Sequence, residues 1–243
     1  MKILVTSDLH GNLNGLEDFI TPDLNVICFA GDVALLKNLG KWHVYDQKKW
    51  VQKTLCTFAE KYPNIEFVFT PGNHDFFPIA DKLFGHADCN WHIIWPNNLH
   101  MLIDSGIDIN GIKFYGTPYV PIISHRWAFE AESDELKRHF QKIPENIDVL
   151  LTHSPPHITM NESIDRSMQW GGHEAFGSSE LATVIFDRKP RYAFCGHIHT
   201  GGHECFNIGE TKCYNVSRLN ENYEIAFDPF VFEIEPIRVL NEA

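Results

Sequence analysis

The sequence lacks any run of basic residues, and its 20 Lys and Arg are outnumbered by 32 Asp and Glu, for a net charge of -12. Because contacts to nucleic-acid phosphates usually need a Lys/Arg footprint, this balance argues against binding of long nucleic acid. The sequence also lacks an apolar stretch of membrane-spanning length, and "MKILVTSDLH" is too short for a signal peptide. We therefore expect a cytoplasmic protein without membrane partners; no oligomeric state is predicted.

Closely spaced cysteine pairs are absent as well. The six cysteines are scattered and form no C-x-x-C motif, which argues against a disulfide framework and predicts reduced core thiols at Cys28, Cys56, Cys89, Cys195, Cys205 and Cys213. The chain has no low-complexity tract, repeat or linker. Its 243 residues suffice for one large α/β domain and are few for two, so we predict a single domain over residues 1–243.

Short apolar, β-branched runs alternate with segments of helical character, a pattern typical of α/β architecture. The clearest strands are "KILVTS", "NVICFA", "IEFVFTP", "IDVLLTH" and "RYAFCGH". Helices are predicted at "VYDQKKWVQKTLCTFAEKYP", "SDELKRHFQKIP" and "SSELATVIFDRKP". The last two open on Ser133 and Ser178 with a nearby Glu, which predicts N-capped helices.

Side chains that commonly bind metal ions follow each of the five clear strands, in the motifs "DLH", "GD", "GNHD", "HSPP" and "GHIH". In open α/β sheets ligands bind outside the carboxyl ends of the strands, so these groups are expected to converge. His197 and His199 stand two residues apart, a spacing that aims two side chains of an extended segment the same way. We therefore predict a metal site at this edge.

The residue types suggest two neighbouring ions. Asp8, His10 and His199 would bind one ion, and the neutral donors Asn73, His153 and His197 would bind the other. Asp32 is the expected bridge because a carboxylate can bind two cations. Mixed nitrogen and oxygen donors without thiolate suit manganese, iron or zinc better than a closed structural zinc site.

The same residues could instead have structural roles. A lone His10 or His153 is more often structural than a ligand, a lone "GD" is usually a turn, and "GNHD" could be an Asn-rich turn with His74 idle. Five such motifs in succession favour ligation.

Candidate substrate contacts are less specific. In "HRWAFEAES", Arg126 could grip phosphate and Trp127 could stack on a base, although Trp127 could equally pack under a loop. His157 after "SPP" and His203 after "TGG" are expected near the mouth of the site and are further candidates.

The five motifs, in this order, resemble those of the calcineurin-like metallophosphoesterase superfamily. More narrowly, "GTPYVP", "RWAF", "LTHSPP" and "CGHIHTGG" resemble metallophosphoesterase-domain proteins related to class III cyclic-nucleotide phosphodiesterases. The resemblance implies a four-layer αββα sandwich of two mixed β-sheets flanked by helices. It also implies that one metal ion is bound by Asp8, His10, Asp32 and His199, and the other by Asp32, Asn73, His153 and His197. His74 resembles the family's catalytic histidine.

The expected activity follows from that likeness. Two divalent ions, Mn²⁺ by preference with Fe or Zn as alternatives, clamp a phosphoryl group and activate a bridging hydroxide for attack on phosphorus. We expect a phosphodiesterase acting on small diesters such as cyclic nucleotides. A phosphomonoesterase and a catalytically silent metal-binding interaction domain are the alternatives.

Overall fold

The computed structural model describes residues 1–35, 41–79, 92–157, 177–201, 203 and 205–236, with backbone only at 41–43 and 201. Cys89 lies outside these residues. None of the described helices is long and apolar enough to cross a membrane.

The first large sheet has five strands in the order β13-β1-β2-β3-β4. Their bounds are β1 Lys2–Thr6, β2 Leu24–Ala30, β3 Glu66–Thr70, β4 Leu99–Met101 and β13 Phe230–Glu233. Strands β1 to β4 run parallel, and β13 adds antiparallel to β1. Parallel strands covered on both faces require apolar residues at successive positions, which explains runs such as "VICFA".

The second large sheet has six strands in the order β11-β12-β10-β9-β6-β5. Their bounds are β5 Ser105–Ile109, β6 Ile112–Thr117, β9 Val149–Thr152, β10 Tyr192–Cys195, β11 Cys205–Ile208 and β12 Thr211–Asn215. The four inner strands are parallel, whereas β5 and β11 are antiparallel edges. A short ribbon pairs β7 Val120–Pro121 with β8 Glu130–Ala131.

Helices cover the outer face of each sheet. Helix α1 Lys41–Trp50 continues through a π-helical turn, Val51–Leu55, into α2 Cys56–Lys61; the second pair is α3 Ser133–Phe140 and α4 Ser179–Arg188. Leu55 and Phe58 pack with residues of the first sheet such as Phe29. Phe140 and Ile185 pack with residues of the second sheet such as Leu150.

A central apolar layer fills the space between the two sheets. It joins Ile3 and Val26 of the first sheet to Phe114, Val149 and Phe194 of the second. The order helix, sheet, sheet, helix confirms the predicted four-layer fold class.

Two local predictions were wrong. Ser133 does not cap α3: Glu132 occupies the N-cap without a side-chain hydrogen bond, and the Ser133 hydroxyl donates to Glu180 instead. The Ser178 hydroxyl does cap α4, since it accepts from the Leu181 N–H. Cys205 is exposed, because it lies on the edge strand β11, whereas the other described cysteines are buried.

Candidate metal centre

Five parallel strands end at one edge of the two sheets, and each delivers polar side chains there. Asp8 and His10 follow β1, and Asp32 follows β2. Asn73 and His74 follow β3. His153 follows β9, and His197 and His199 follow β10. The fold therefore brings the sequence-predicted metal ligands of both sheets to a common edge.

The loops that carry these groups turn sharply. Four of the residues have left-handed backbones, with φ of 53° at Asp8, 43° at His10, 50° at Asp32 and 74° at His197. Residues with a Cβ rarely adopt this region, and such strain clusters at functional sites. Backbone bonds between loops hold the turns, since the His10 N–H donates to the Asp32 carbonyl over 2.9 Å.

Glycines let these loops approach one another. A Cβ on Gly31 would overlap the His153 ring, and a Cβ on Gly196 would overlap the Asp8 carboxylate. Both contacts join one sheet to the other. Glycine is therefore required because a neighbour's polar side chain occupies the space of a Cβ.

Asp32 lies at the centre of the cluster and is 2% exposed. Its Oδ2 lies 3.3 Å from His153 Nε2, 3.7 Å from His10 Nε2 and 3.9 Å from His74 Nε2. Its Oδ1 accepts the His74 backbone N–H over 2.8 Å. Burial alone would raise the pKa of Asp32, but the charges of His153 and His74 hold it well below its usual range.

Asp8 is equally buried and more heavily hydrogen bonded. Its carboxylate accepts from the hydroxyls of Ser7 and Ser217 over 2.6 and 2.7 Å, and from the His197 N–H over 3.0 Å. His199 Nε2 lies 3.5 Å from Asp8 Oδ1. Although burial raises the pKa of Asp8, the hydrogen bond and charge of His199 lower it below its usual range, so the group is a carboxylate.

Backbone carbonyls orient two of the imidazoles. His153 Nδ1 lies 3.1 Å from the Ala30 carbonyl, and His199 Nδ1 lies 2.9 Å from the Asn220 carbonyl. A carbonyl accepts only, so each Nδ1 carries the proton and each Nε2 faces a carboxylate. Metal-binding histidines typically show this arrangement.

Imidazole nitrogens and an amide oxygen, all of them groups that can bind a metal ion, lie close together at this site. Asn73 Oδ1 lies 2.8 Å from His153 Nε2 and 2.9 Å from His197 Nδ1. Both ring nitrogens of His10 are buried and have no hydrogen-bond partner among the described residues. A buried nitrogen without a partner is costly unless an ion binds it. The residues present therefore fit divalent metal ions.

In the part of the chain that the structure describes, three groups of side chains have ligand atoms close enough to share an ion. These are Asp8 with His10 and His199, His10 with Asp32 and His74, and Asp8 with Asp32 and His153. The first group belongs to the ligand set predicted for one ion. The geometry also admits His74 as a ligand, so its separate catalytic role stays a prediction.

The histidines differ in their affinity for protons. Burial lowers the pKa of His10 to about 4 and of His197 to about 3. Burial also acts on His153 and His199, but Asp32 and Asp8 respectively outweigh it and raise both pKa values to about 9. Without metal, His153 and His199 are therefore protonated at neutral pH, and each holds a proton where an ion would bind.

A cavity of about 420 Å³ opens above this cluster. Asp32, Asn73, His74, His197 and His199 line its floor, and Trp127 lines its wall. The Trp127 ring centroid lies 4.3 Å from that of His74.

The other three predicted substrate contacts do not line this cavity. The Arg126 side chain is exposed. His203 stacks on Phe227 with ring centroids 4.8 Å apart, and the His157 backbone N–H bonds to the Ser178 carbonyl. Their roles in substrate binding remain predictions.

Sequence reasoning missed several residues that line the cavity, and Tyr223 is the one that lies against the predicted metal ligands. Its ring centroid lies 5.0 Å from that of His10 and 5.5 Å from that of His199. Nothing in "RLNENYEIAF" sets this tyrosine apart, because no metal-liking motif surrounds it.

Asp75 stabilises two of the loops that carry floor residues. Its buried carboxylate accepts from the N–H groups of Gly72, Val33 and Ala34 over 2.8 to 3.0 Å. These bonds tie the loop after β3 to the loop after β2.

Several known proteins are similar in sequence to this chain. A family model described as "Calcineurin-like phosphoesterase" matches residues 1–201. A UPF0046 protein of Caenorhabditis elegans is 34% identical over 140 residues, 57% of this chain and 33% of that protein. Metallophosphoesterase domain-containing protein 1 of Homo sapiens is 29% identical over 247 residues, covering 96% of this chain and 71% of the relative.

A solved structure, phosphopantetheinyl hydrolase from Mycobacterium tuberculosis, is similar in fold. It has a TM-score of 0.50 and 11% sequence identity, covering 89% of this chain and 88% of that one. At this identity the likeness is one of fold alone.

Proposed function

The chain belongs to the calcineurin-like phosphoesterase family, and from that premise we propose that it is a phosphodiesterase acting on small diesters such as cyclic nucleotides. Family membership and the clustered donors support the general activity, metal-dependent hydrolysis of phosphoesters. The diester preference, Mn²⁺ as the ion and the individual residue roles are parts of the proposal.

The observation that carries the proposal is the convergence of side chains on Asp32 at the floor of an open cavity. Seven residues would hold two ions: Asp8, His10, Asp32, Asn73, His153, His197 and His199. When bound, divalent ions there supply charge for the phosphoryl oxygens and lower the pKa of water.

The chain's own residues orient the substrate and handle protons. Asp32 would serve both ions, since its Oδ2 lies 3.7 Å from His10 Nε2 and 3.3 Å from His153 Nε2, and these histidines belong to different predicted ligand sets. His74 Nε2 lies on the cavity floor, 3.9 Å from Asp32 Oδ2, where its N–H can donate to a phosphoryl or leaving oxygen. Trp127, which packs on His74, limits where that ring can turn.

The charge of the cavity wall favours a diester over a monoester. No Lys or Arg lines the cavity among the described residues, and Glu221 does line it. A phosphomonoester carries nearly two negative charges at neutral pH, whereas a diester carries one. The described wall therefore adds no positive side chain to the charge that the ions would supply, and Glu221 adds a negative one, which favours the singly charged ester.

Hydrolysis of two chromogenic esters tests the proposal. Metal-stripped protein, with and without Mn²⁺, is assayed on bis-p-nitrophenyl phosphate and p-nitrophenyl phosphate, beside Asp32→Ala. We expect Mn²⁺-dependent cleavage that is faster on the diester and lost in Asp32→Ala. Faster cleavage of the monoester would replace the proposal with a phosphomonoesterase, and Mn²⁺ binding without cleavage would point to a silent metal-binding domain.

A further inference from the structure

A tight turn over residues 220–224 reaches the metal centre from the chain segment after β12. Asn220 organises the turn: its carbonyl accepts the Tyr223 N–H over 2.9 Å, and its side-chain Oδ1 accepts the N–H groups of Asn222 and Glu224. The same Asn220 carbonyl is 2.9 Å from His199 Nδ1. The turn is therefore tied directly to a predicted metal ligand.

Tyr223 is an unusual residue for the apex of this turn. Its φ is +60°, in the left-handed region that Gly and Asn adopt readily and bulky residues avoid. The residue is also 45% exposed, so burial in a core does not explain the choice. A strained, half-exposed aromatic residue beside a site indicates a role in function rather than in folding.

The ring contacts place Tyr223 at one end of a row. Centroid distances are 4.3 Å from Trp127 to His74, 4.9 Å from His74 to His10, and 5.0 Å from His10 to Tyr223. The row begins and ends on an aromatic wall residue, with imidazoles between them. Ile123, which is 46% exposed, and Ile198 extend the apolar wall of the same cavity.

We propose that Tyr223 and Trp127 form a subsite for a planar organic group of the phosphoester, and that Tyr223 is a specificity-determining residue for aryl or base-bearing substrates. This inference rests on the proposed function, because the phosphoryl group must first bind at the metal floor. Aromatic side chains favour stacked or edge-to-face contacts with planar rings over contacts with aliphatic groups.

Three phosphonates that cannot be hydrolysed separate the possibilities. Methylphosphonate probes the metal floor alone, phenylphosphonate adds a planar ring, and cyclohexylphosphonate adds an apolar group that is not planar. Their affinities for Mn²⁺-loaded protein are measured by calorimetry. We expect phenylphosphonate to bind about three- to tenfold more tightly than methylphosphonate, the range of one aromatic contact. It should also bind more tightly than cyclohexylphosphonate.

Two substitutions of Tyr223 test whether its ring causes the preference for phenylphosphonate. Tyr223→Asn removes the ring, so the ratio of phenylphosphonate affinity to methylphosphonate affinity (the phenyl preference) should fall toward one. Because asparagine suits the left-handed backbone, the temperature of unfolding should rise slightly. Tyr223→Phe should keep the phenyl preference. Lys189→Asn is the matched control, since Lys189 has a φ of 52° at the C-cap of α4, away from the cavity. It should raise the unfolding temperature and leave the preference intact.

The outcomes distinguish this inference from the function beneath it. An unchanged phenyl preference in Tyr223→Asn overturns the subsite, and so does tighter binding of cyclohexylphosphonate, which would indicate a lipid-like group. In both cases methylphosphonate still binds and the proposed function stands. If no phosphonate binds the metal-loaded protein, the proposed function and the subsite fail together.

Discussion

The floor and the wall of the cavity are built in different ways. The carboxylate of Asp32 on the floor and that of the neighbouring predicted ligand Asp8 are at most 2% exposed and are held by groups from several strand ends. The wall residues Ile123 and Tyr223 are nearly half exposed and lie on loops held mainly by short-range hydrogen bonds. The difference suggests that the fold determines the metal chemistry, whereas two exposed loops determine the substrate.

His74 stands between the two regions, so its substitution tests the comparison most severely. Replacing it with Ala removes an N–H donor to the phosphoryl group, and we expect kcat to fall about 10²- to 10⁴-fold. The Mn²⁺ content should stay at the wild-type value, as measured by metal analysis after gel filtration. His100→Ala is the control, because His100 pairs with Glu66. Loss of an ion in His74→Ala would make His74 a ligand instead.

Gly196→Ala disturbs the floor without changing any polar group. The added Cβ would overlap the Asp8 carboxylate and the Ser7 side chain, so Asp8 must move. We expect Mn²⁺ affinity to fall about 10- to 100-fold, as it does when groups that position metal ligands are altered. Titration with Mn²⁺ measures the change. Gly111→Ala, at a φ of +82° where the described neighbour of an added Cβ is Pro236, should leave the affinity intact; equal losses in both variants would contradict this account.

Acid should weaken metal binding at the floor. In the metal-free protein the pKa values of His153 and His199 are raised to about 9, so both side chains hold protons at pH 7 that ions must displace. Affinity should therefore rise about tenfold per pH unit for each ion between pH 7 and 9. Calorimetry in buffers of different ionisation enthalpy should detect about one proton released per ion at pH 7. A flat pH dependence would argue against these ligands.

The smallest expected effect belongs to the wall. The Glu130 carboxylate accepts the N–H groups of Ile123, Ser124 and Trp127 over 2.6 to 2.9 Å, and so shapes the loop that carries Trp127. Glu130→Ala should raise KM for bis-p-nitrophenyl phosphate a few-fold, since the net free energy of one hydrogen bond corresponds to a change of about that size. The Mn²⁺ affinity should not change; if it falls instead, the wall and the floor are not independent.

The sequence predicted the floor of the cavity better than its wall. The motifs at the strand ends contain His10, His74 and His153, the described side chains that lie near Asp32, because parallel strands bring their carboxyl ends together whatever the length of the connections. The α/β class followed from the alternation of strand and helix signals, and the four-layer arrangement followed from the family resemblance. The strand signals and the motifs that follow them are local patterns, and both recur at each of the five strand ends.

The wall did not follow from the sequence in the same way. Of the four predicted substrate contacts only Trp127 lines the cavity, and Tyr223 was not foreseen. Both residues lie on irregular loops whose courses depend on individual hydrogen bonds, such as those of Glu130 and Asn220. Such bonds leave no periodic signal. The Ser133 cap failed for a related reason, since Glu180 on another helix binds that hydroxyl.

The central claim is that this floor holds two ions that share Asp32. The most direct test titrates metal-stripped protein with Mn²⁺ and follows bound ion by electron paramagnetic resonance. We predict two ions per chain, with a signal broadened by coupling between neighbouring ions, and loss of that coupling in Asp32→Asn. One ion per chain, or two uncoupled ions in the wild type, would contradict the account.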